Sequence, residues 1–178
     1  MMGTAIKQNI MLLVIAMTAS VFIELFNLSN LPTIIGFKGA EIIQMLHLTG
    51  YPSIVIIVCL TMFFDMFMSG ANAKWLMLAP IYIPMFTALG FSPAMITAAY
   101  RAGDSCTNAI APLSTMLIVA IALYERFNVA PDKKQVGIGT VMSFAIPYTV
   151  FFFLTFLAML AVFYFFDLPL GPGAGVFM

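Results

Sequence analysis

The sequence predicts an all-α integral membrane protein whose apolar helices are interrupted at two places by polar residues. Of its 178 residues, 63% are hydrophobic and only 8% are charged. A soluble domain of this length needs more charge to cover its surface, so the apolar surplus must face lipid or other protein. The formal net charge is zero. A nucleic-acid partner is therefore not expected, because no basic stripe is present to displace counterions from phosphates.

The first half of the chain predicts one spanning helix, one interfacial helix and two apolar arms. A transmembrane helix is predicted over 9–28, because its apolar run covers roughly 25 Å of a hydrocarbon core that is ~30 Å thick. Residues 27–39 are expected to form a loop, followed by a short amphipathic helix over 40–48 in the membrane interface. The arms occupy 51–90, with a polar tip near 69–75. They form either a re-entrant hairpin or two full spans.

The second half predicts a broken helix, a long helix and a tail. Ser92 and Pro93 open a helix over 93–126, since serine caps well and proline fits the first turn. Polar residues interrupt this helix from Gly103 to Pro112, and the pieces on either side are too short to span the bilayer alone. A last transmembrane helix is predicted over 136–166, followed by a frayed tail over 167–178.

The distribution of lysines indicates the orientation of the chain. Lys7 and the Lys133-Lys134 loop fall on the same side, and only Lys38 falls on the other. The positive-inside bias then places Lys7 and the Lys133-Lys134 loop in the cytoplasm. This orientation is expected of a multi-pass protein of the cell inner membrane. The two cysteines, Cys59 and Cys106, have no CxxC neighbour and are interpreted as small buried residues.

Ionisable residues at membrane depth mark the candidate site. Such residues cost about 2.5–3.5 kcal/mol or more each and persist where they pair or line a wet cavity. Most of them flank the two interruptions, which therefore indicate a substrate and ion site. The five are Glu24, Asp65, Lys74, Arg101 and Asp104.

An interrupted membrane helix exposes backbone groups that bind ions. Freed amide ends attract anions, and freed carbonyl ends coordinate cations. The oxygen and amide groups at both interruptions are the kind that sodium prefers, by analogy with other hard cations. The predicted ion-binding residues are Asp65, Ser69, Asn72, Asp104, Thr107 and Asn108.

Simpler roles remain open for several of these residues. Arg101 and Asp104 are three apart on a helix and could neutralise each other. Lys74 could extend to the interface, and Trp75 could be an interfacial anchor. No spacing indicates catalysis: the chain has no HExxH or GxSxG motif and a single histidine, so no catalytic residue and no cofactor are expected.

A run of about forty residues resembles the AbgT family of p-aminobenzoyl-glutamate transporters. The family pattern is close to S-A-x-A-K-W, L-A-P-I, P-M, S-P and A-Y-R-x-G-D-S-x-T-N. Here the matching segments, in the same order, are Ser69–Trp75, Leu78–Ile81, Pro84-Met85, Ser92-Pro93 and Ala98–Asn108.

The resemblance implies a dimeric inner-membrane transporter built from two inverted repeats, each with a helical hairpin and a broken helix. Its substrates would be p-aminobenzoyl-glutamate or related aromatic carboxylates and sulfonamides, coupled to Na⁺ or H⁺. Trp75, Pro93, Arg101 and Asp104 would line the substrate cavity. Arg101 would face a substrate carboxylate, and Trp75 would stack on the aryl ring.

The chain departs from the family in two ways. Asp65 stands where the family usually has asparagine, and this added carboxylate could change the coupling ion. Family members are several times longer, and the resemblance covers only their C-terminal portion. The chain is therefore expected to be a fragment, one half of a split transporter with a separate N-terminal half, or a degraded reading frame. The alternative is a non-transporting membrane subunit or inactive fragment that assembles with another membrane protein.

Overall fold

A computed structural model of the chain describes residues 17, 20–21, 24–26, 28–68, 71–112, 114–127 and 137–178. Most of the predicted first transmembrane helix, 9–28, lies outside these residues. The described part is all-α, as predicted, and its extended pairing is limited to isolated bridges. Its helices are α1 (Leu31–Met45), α2 (Tyr51–Asp65), α3 (Ala71–Thr87), α4 (Pro93–Thr107), α5 (Thr115–Phe127) and α6 (Ile138–Phe165).

Helix α1 begins nine residues earlier than the predicted interfacial helix over 40–48, so the loop predicted over 27–39 is wrong from Leu31 onward. Pro32 lies in its first turn, where a missing amide costs nothing and the fixed φ favours the helix. Gly36 is buried against α3: a Cβ there would lie 3.2 Å from Pro84 Cγ. The glycine thus permits close helix packing, where sequence reasoning had interpreted it as a loop residue.

The two apolar arms over 51–90 are α2 and α3, and they make few contacts with each other. Helix α1 packs along α3, whereas α2 packs along α4. The apolar core lies where α2, α3 and α4 meet, and α6 contacts α4 and α2. The arms approach each other at the end of α2 and the start of α3, on either side of the predicted tip.

The broken helix over 93–126 is present as α4 and α5, but the interruption lies further along the chain than predicted. Ser92 caps α4, its hydroxyl accepting a hydrogen bond from the Met95 amide at 3.2 Å. The helix then continues through Thr107, and the described residues between α4 and α5 are 108–112 and 114. Pro112 explains this position, because its ring clashes with the carbonyl four residues earlier, at Asn108, and it has no amide to donate.

Helix α6 closely matches the last predicted transmembrane helix, of which residue 136 lies outside the described part. It has 28 residues, and among the described helices it is the one long and apolar enough to cross a membrane. Its length, roughly 42 Å at the helical rise, requires tilting or projection from the bilayer. Pro147 lies inside it.

The tail over 167–178 is not frayed, contrary to the prediction. It folds back onto the turn before α4: the Ser92 amide donates to Val176 O at 3.0 Å, and Met178 donates to Gly90 O at 3.1 Å. The Val176 side chain is fully buried, and the Phe177 ring stacks on Phe91 with centroids 6.0 Å apart. Apolar burial therefore holds a segment whose prolines and glycines indicated disorder.

Candidate functional site

Three helix ends bring three charged side chains into contact. Asp65 is the last residue of α2, Lys74 is the fourth residue of α3, and Asp104 lies in the last turn of α4. The Lys74 ammonium donates to Asp65 Oδ1 and, at 2.6 Å, to Asp104 Oδ1. All three are buried, with exposures of 0% for Lys74, 2% for Asp65 and 4% for Asp104. We call these residues the ion triad.

Thr107 extends the ion triad by one hydrogen bond. Its hydroxyl donates to Asp65 Oδ2 at 2.5 Å and also lies 3.2 Å from the Gly103 carbonyl of its own helix. Both carboxylate oxygens of Asp65 are therefore engaged, one by an ammonium and one by a hydroxyl. The structure thus places Asp65, Asp104 and Thr107, three of the predicted ion-binding residues, within one buried cluster.

Gly103 allows α2 and α4 to approach closely enough for these contacts. A Cβ at this position would lie 2.7 Å from the Val58 carbonyl oxygen and 2.8 Å from Thr61 Cβ. Real side chains do not reach such distances, so another residue would force the two helices apart. The Thr61 hydroxyl donates to Ile57 O at 2.8 Å, which satisfies it within α2.

The electrostatics of the cluster favour a cation. With both carboxylates and the ammonium ionised, the ion triad carries one formal negative charge. The C-terminal ends of α2 and α4 add the partial negative charge of their free carbonyl groups. A buried charge without compensation is expensive. The arrangement can therefore take up one further positive charge, either a monovalent cation or a proton.

An aromatic pair lies next to the ion triad. The Trp75 ring packs on the Tyr100 ring with centroids 4.6 Å apart and an interplanar angle of 40°, and the Tyr100 hydroxyl donates to Ala71 O at 2.7 Å. Trp75 is thus partly buried against the core instead of standing free as an interfacial anchor. Sequence reasoning missed Tyr100, although its position one turn before Asp104 on α4 could have indicated it.

The structure leaves several predicted site residues outside the buried cluster. Asn72, Pro93, Arg101 and Asn108 are exposed, and Ser69 lies outside the described residues. The Arg101 guanidinium lies 5.9 Å from the Tyr100 ring centroid. Pro93 is separated from Asp104 by roughly 16 Å along α4.

Two alternatives from the sequence are wrong. Asp104 is neutralised by Lys74 and not by Arg101, because α3 brings the ammonium to the buried face of α4 while Arg101 points out. Lys74 does not extend to an interface, because two carboxylates hold it inside. Lys74 was therefore the main residue missing from the predicted site. A further correction concerns the cysteines: Cys106 is buried, but Cys59 is exposed on α2.

Comparisons with known proteins identify the family. The sequence profile of the AbgT putative transporter family matches residues 1–178. The p-aminobenzoyl-glutamate transport protein of Escherichia coli (strain K12) is 36% identical over 152 residues, which cover 85% of this chain and 29% of that protein.

Two solved structures share the fold. The YdaH transporter of Alcanivorax borkumensis, described as having an unusual topology, matches with a TM-score of 0.75 and 35% identity over 86% of this chain and 31% of that one. MtrF of Neisseria gonorrhoeae, which is described as illuminating a class of antimetabolite efflux pumps, matches with a TM-score of 0.73 and 32% identity. This second match covers 87% of this chain and 30% of MtrF.

The chain thus spans about a third or less of the length of these relatives. The short coverage agrees with the prediction that the chain corresponds to one portion of such a transporter. The predicted multi-pass membrane class also agrees with the family. The match along the whole sequence confirms the predicted membership: this chain belongs to the AbgT putative transporter family.

Proposed function

We propose that the chain is the C-terminal part of an ion-coupled secondary transporter for p-aminobenzoyl-glutamate or related aromatic carboxylates and sulfonamides. In this proposal it acts in the cell inner membrane, with a separate N-terminal half and as a homodimer of the complete assembly. Membership of a transporter family supports transport as the general activity. The name of the E. coli relative supports the substrate class.

The observation that carries the proposal is the buried negative charge of the ion triad. Two carboxylates share one ammonium inside the protein. Occupation by Na⁺ or H⁺ would neutralise the remaining charge, and moving a neutral site across the bilayer is far cheaper than moving a charged one. Ser69, Asn72 and Asn108, at the tip of the arms and the end of α4, would supply further oxygen ligands when the ion is bound.

The proposed substrate site lies on the exposed side of the same helices. Arg101 is exposed one turn before Asp104 on α4, where its guanidinium can bind a carboxylate in bidentate fashion. Trp75, which packs on the same Tyr100 ring that Arg101 approaches, offers a ring for the aryl group. Pro93 would line the same cavity nearer the start of α4. Substrate and coupling ion would then meet at Asp104.

Transport in proteoliposomes tests this proposal. The vesicles should hold the chain together with any polypeptide that copurifies with it, and the flux of radiolabelled p-aminobenzoyl-glutamate should be followed under imposed Na⁺ and pH gradients. One of the gradients should drive the flux. Arg101→Gln should lower the flux about tenfold or more, the scale of one lost charge-assisted hydrogen bond.

Arg126→Gln provides the matched control, because Arg126 is an exposed arginine at the end of α5. Equal fluxes in the two variants would show that Arg101 does not bind substrate. A flux indifferent to both gradients would remove ion coupling from the proposal.

A second candidate function is that of a non-transporting membrane subunit. It is favoured by α6, because only 11% of the most apolar stretch of this helix is buried. Such a face must be covered by lipid or by another protein. A stable homo-oligomer that binds no p-aminobenzoyl-glutamate would support this candidate over transport.

A further inference from the structure

We propose that Lys74 is a tethered cation: its ammonium occupies the cation position between Asp65 and Asp104 until the coupling ion displaces it. Lys74 thereby sets the affinity of this site for the coupling ion. The inference rests on the proposed function, since it takes the ion triad as the coupling site. It assigns a specificity-determining role to a residue that sequence reasoning left outside the site.

The geometry places the ammonium where a bound ion would have to lie. Lys74 Nζ contacts one oxygen of each carboxylate, Asp65 Oδ1 and Asp104 Oδ1. A monovalent cation bridging the same two oxygens would require the space that Nζ fills. The cation and the ammonium therefore exclude each other, and binding is a competition between them.

The surroundings of Lys74 make its displacement feasible. It lies near the N-terminal end of α3, where the helix dipole disfavours a positive charge, while the dipoles of α2 and α4 attract one. Its flexible four-carbon stem lets the ammonium withdraw without moving the helix. The charged and titratable groups around Lys74 are Asp65 from α2 and Tyr100 and Asp104 from α4, and Arg101 lies by the Tyr100 ring on the exposed side of α4.

Competition gives a distinct result for each variant. In the wild type, the coupling ion must displace the ammonium before it contacts both carboxylates. Lys74→Gln keeps both carboxylates and removes the competitor, so it should bind the ion more tightly than the wild type. Asp65→Asn removes one carboxylate and keeps the competitor, so it should bind more weakly. The double variant Asp65→Asn/Lys74→Gln lacks one carboxylate and also the competitor, so it should bind more tightly than Asp65→Asn.

Equilibrium binding measures these affinities directly. The chain, with any polypeptide that copurifies, is placed in lipid nanodiscs, and ²²Na⁺ binding and proton uptake are recorded in parallel at fixed pH. We expect Na⁺ to bind more tightly to Lys74→Gln than to the wild type, and more tightly to the double variant than to Asp65→Asn. Apparent Na⁺ affinity in Lys74→Gln should rise about tenfold or more over the wild type, because the buried competitor is gone. Lys38→Gln, at an exposed lysine on α1, should match the wild type.

The double variant decides the outcome if Lys74→Gln fails to fold, since it carries the same net charge as the wild type. Failure of the double variant to bind more tightly than Asp65→Asn, or wild-type affinity in Lys74→Gln, would overturn the role of Lys74 as a competitor. Unchanged binding in Asp65→Asn and Asp104→Asn would instead remove the coupling site itself. The two failures are therefore distinguishable.

Discussion

Single buried charges survive in this protein because each one has an assigned partner. Lys74 has no exposed surface, yet its ammonium donates to two carboxylates. Breaking such a buried pair by removing one partner typically costs about 3–5 kcal/mol, because the other charge stays buried without compensation. Lys74 and the two carboxylates are therefore constrained together, and the function of the cluster cannot be changed one residue at a time without an effect on stability.

Thr107 offers the mildest perturbation of this cluster. Thr107→Val keeps the shape of the side chain and removes the hydroxyl that donates to Asp65 Oδ2 at 2.5 Å. A hydrogen bond to a charged group contributes about 1.5–3 kcal/mol, so the free energy of unfolding should fall by that amount. The measurement is the thermal unfolding midpoint of the purified chain in detergent, followed by intrinsic fluorescence.

Thr97→Val is the control for this substitution. Thr97 lies on the same helix, and its hydroxyl bonds only to the Pro93 carbonyl at an exposed position. Its replacement should change the midpoint much less. Equal midpoints for the two variants would mean that the Thr107 hydroxyl does not support Asp65.

At the residue scale, the sequence indicated which acidic residues belong to the buried cluster better than it indicated where the basic side chains point. The cost of charge at membrane depth marked Asp65 and Asp104 without any knowledge of packing. The directions in which the Lys74 and Arg101 side chains point could not be predicted in the same way. Both are basic and near an acid in sequence, and only the placement of α3 beside α2 and α4 decides that Lys74 points inward while Arg101 points outward.

At the level of helices, the site depends on Gly103, because a residue without a side chain is needed where α2 and α4 cross. Gly103 lets α4 lie against the Val58 carbonyl of α2. Gly103→Ala should force the helices apart and cost about 1–3 kcal/mol of stability, as overpacked cores do. It should also weaken the contacts of Asp104 with Lys74 and of Thr107 with Asp65, because Asp104 directly follows Gly103 and Thr107 lies one turn further along α4.

Gly139→Ala is the matched control, since a Cβ at this position on α6 meets no atom within 4 Å. Alanine has the higher helix propensity, so this variant should unfold at the same or a slightly higher temperature. The requirement for close crossing of α2 and α4 is tested by the unfolding midpoints of the two variants and by their ²²Na⁺ binding. The idea fails if Gly103→Ala is as stable as Gly139→Ala.

Helix boundaries show what local sequence signals can and cannot specify. Ser92 predicted the start of α4 correctly, and Pro112 correctly predicted that the helix is broken. The polar run from Gly103 suggested an earlier interruption, but tertiary contacts of Asp104 and Thr107 satisfy these residues in helical conformation. Gly36 was wrongly interpreted as a loop residue for a related reason. Its role is to allow close packing on Pro84, and this role can be recognised only when the position of α3 is known.

On the scale of the whole molecule, the chain exposes far more apolar surface than a self-sufficient fold would. Helix α6 presents phenylalanines and leucines around most of its circumference, and Val141, Thr149 and Leu160 are its buried residues. The sequence predicted that a tail segment exists but not that it is buried. Its burial depends on the packing of Val176 near the turn at Gly90. The exposed apolar surface of α6 agrees with a membrane protein.

The environment of α6 can be tested at its centre. Phe151 lies at the midpoint of the helix and is 66% exposed, whereas Phe166 lies just past its end and is 73% exposed. An aspartate at the bilayer centre costs about 2.5–3.5 kcal/mol, and the cost falls towards the interface. Phe151→Asp should therefore impair insertion of α6, whereas Phe166→Asp should leave it intact.

An acceptor site for N-glycosylation added after Met178 reports insertion when the full chain is made in the presence of microsomes. The predicted cytoplasmic position of Lys133-Lys134 means that an inserted α6 carries the tail across the membrane. The wild type and Phe166→Asp should be glycosylated, and Phe151→Asp should lose most of this modification. Equal glycosylation of the two variants would mean that protein or water, and not lipid, surrounds the centre of α6. An unmodified wild type would reverse the predicted orientation.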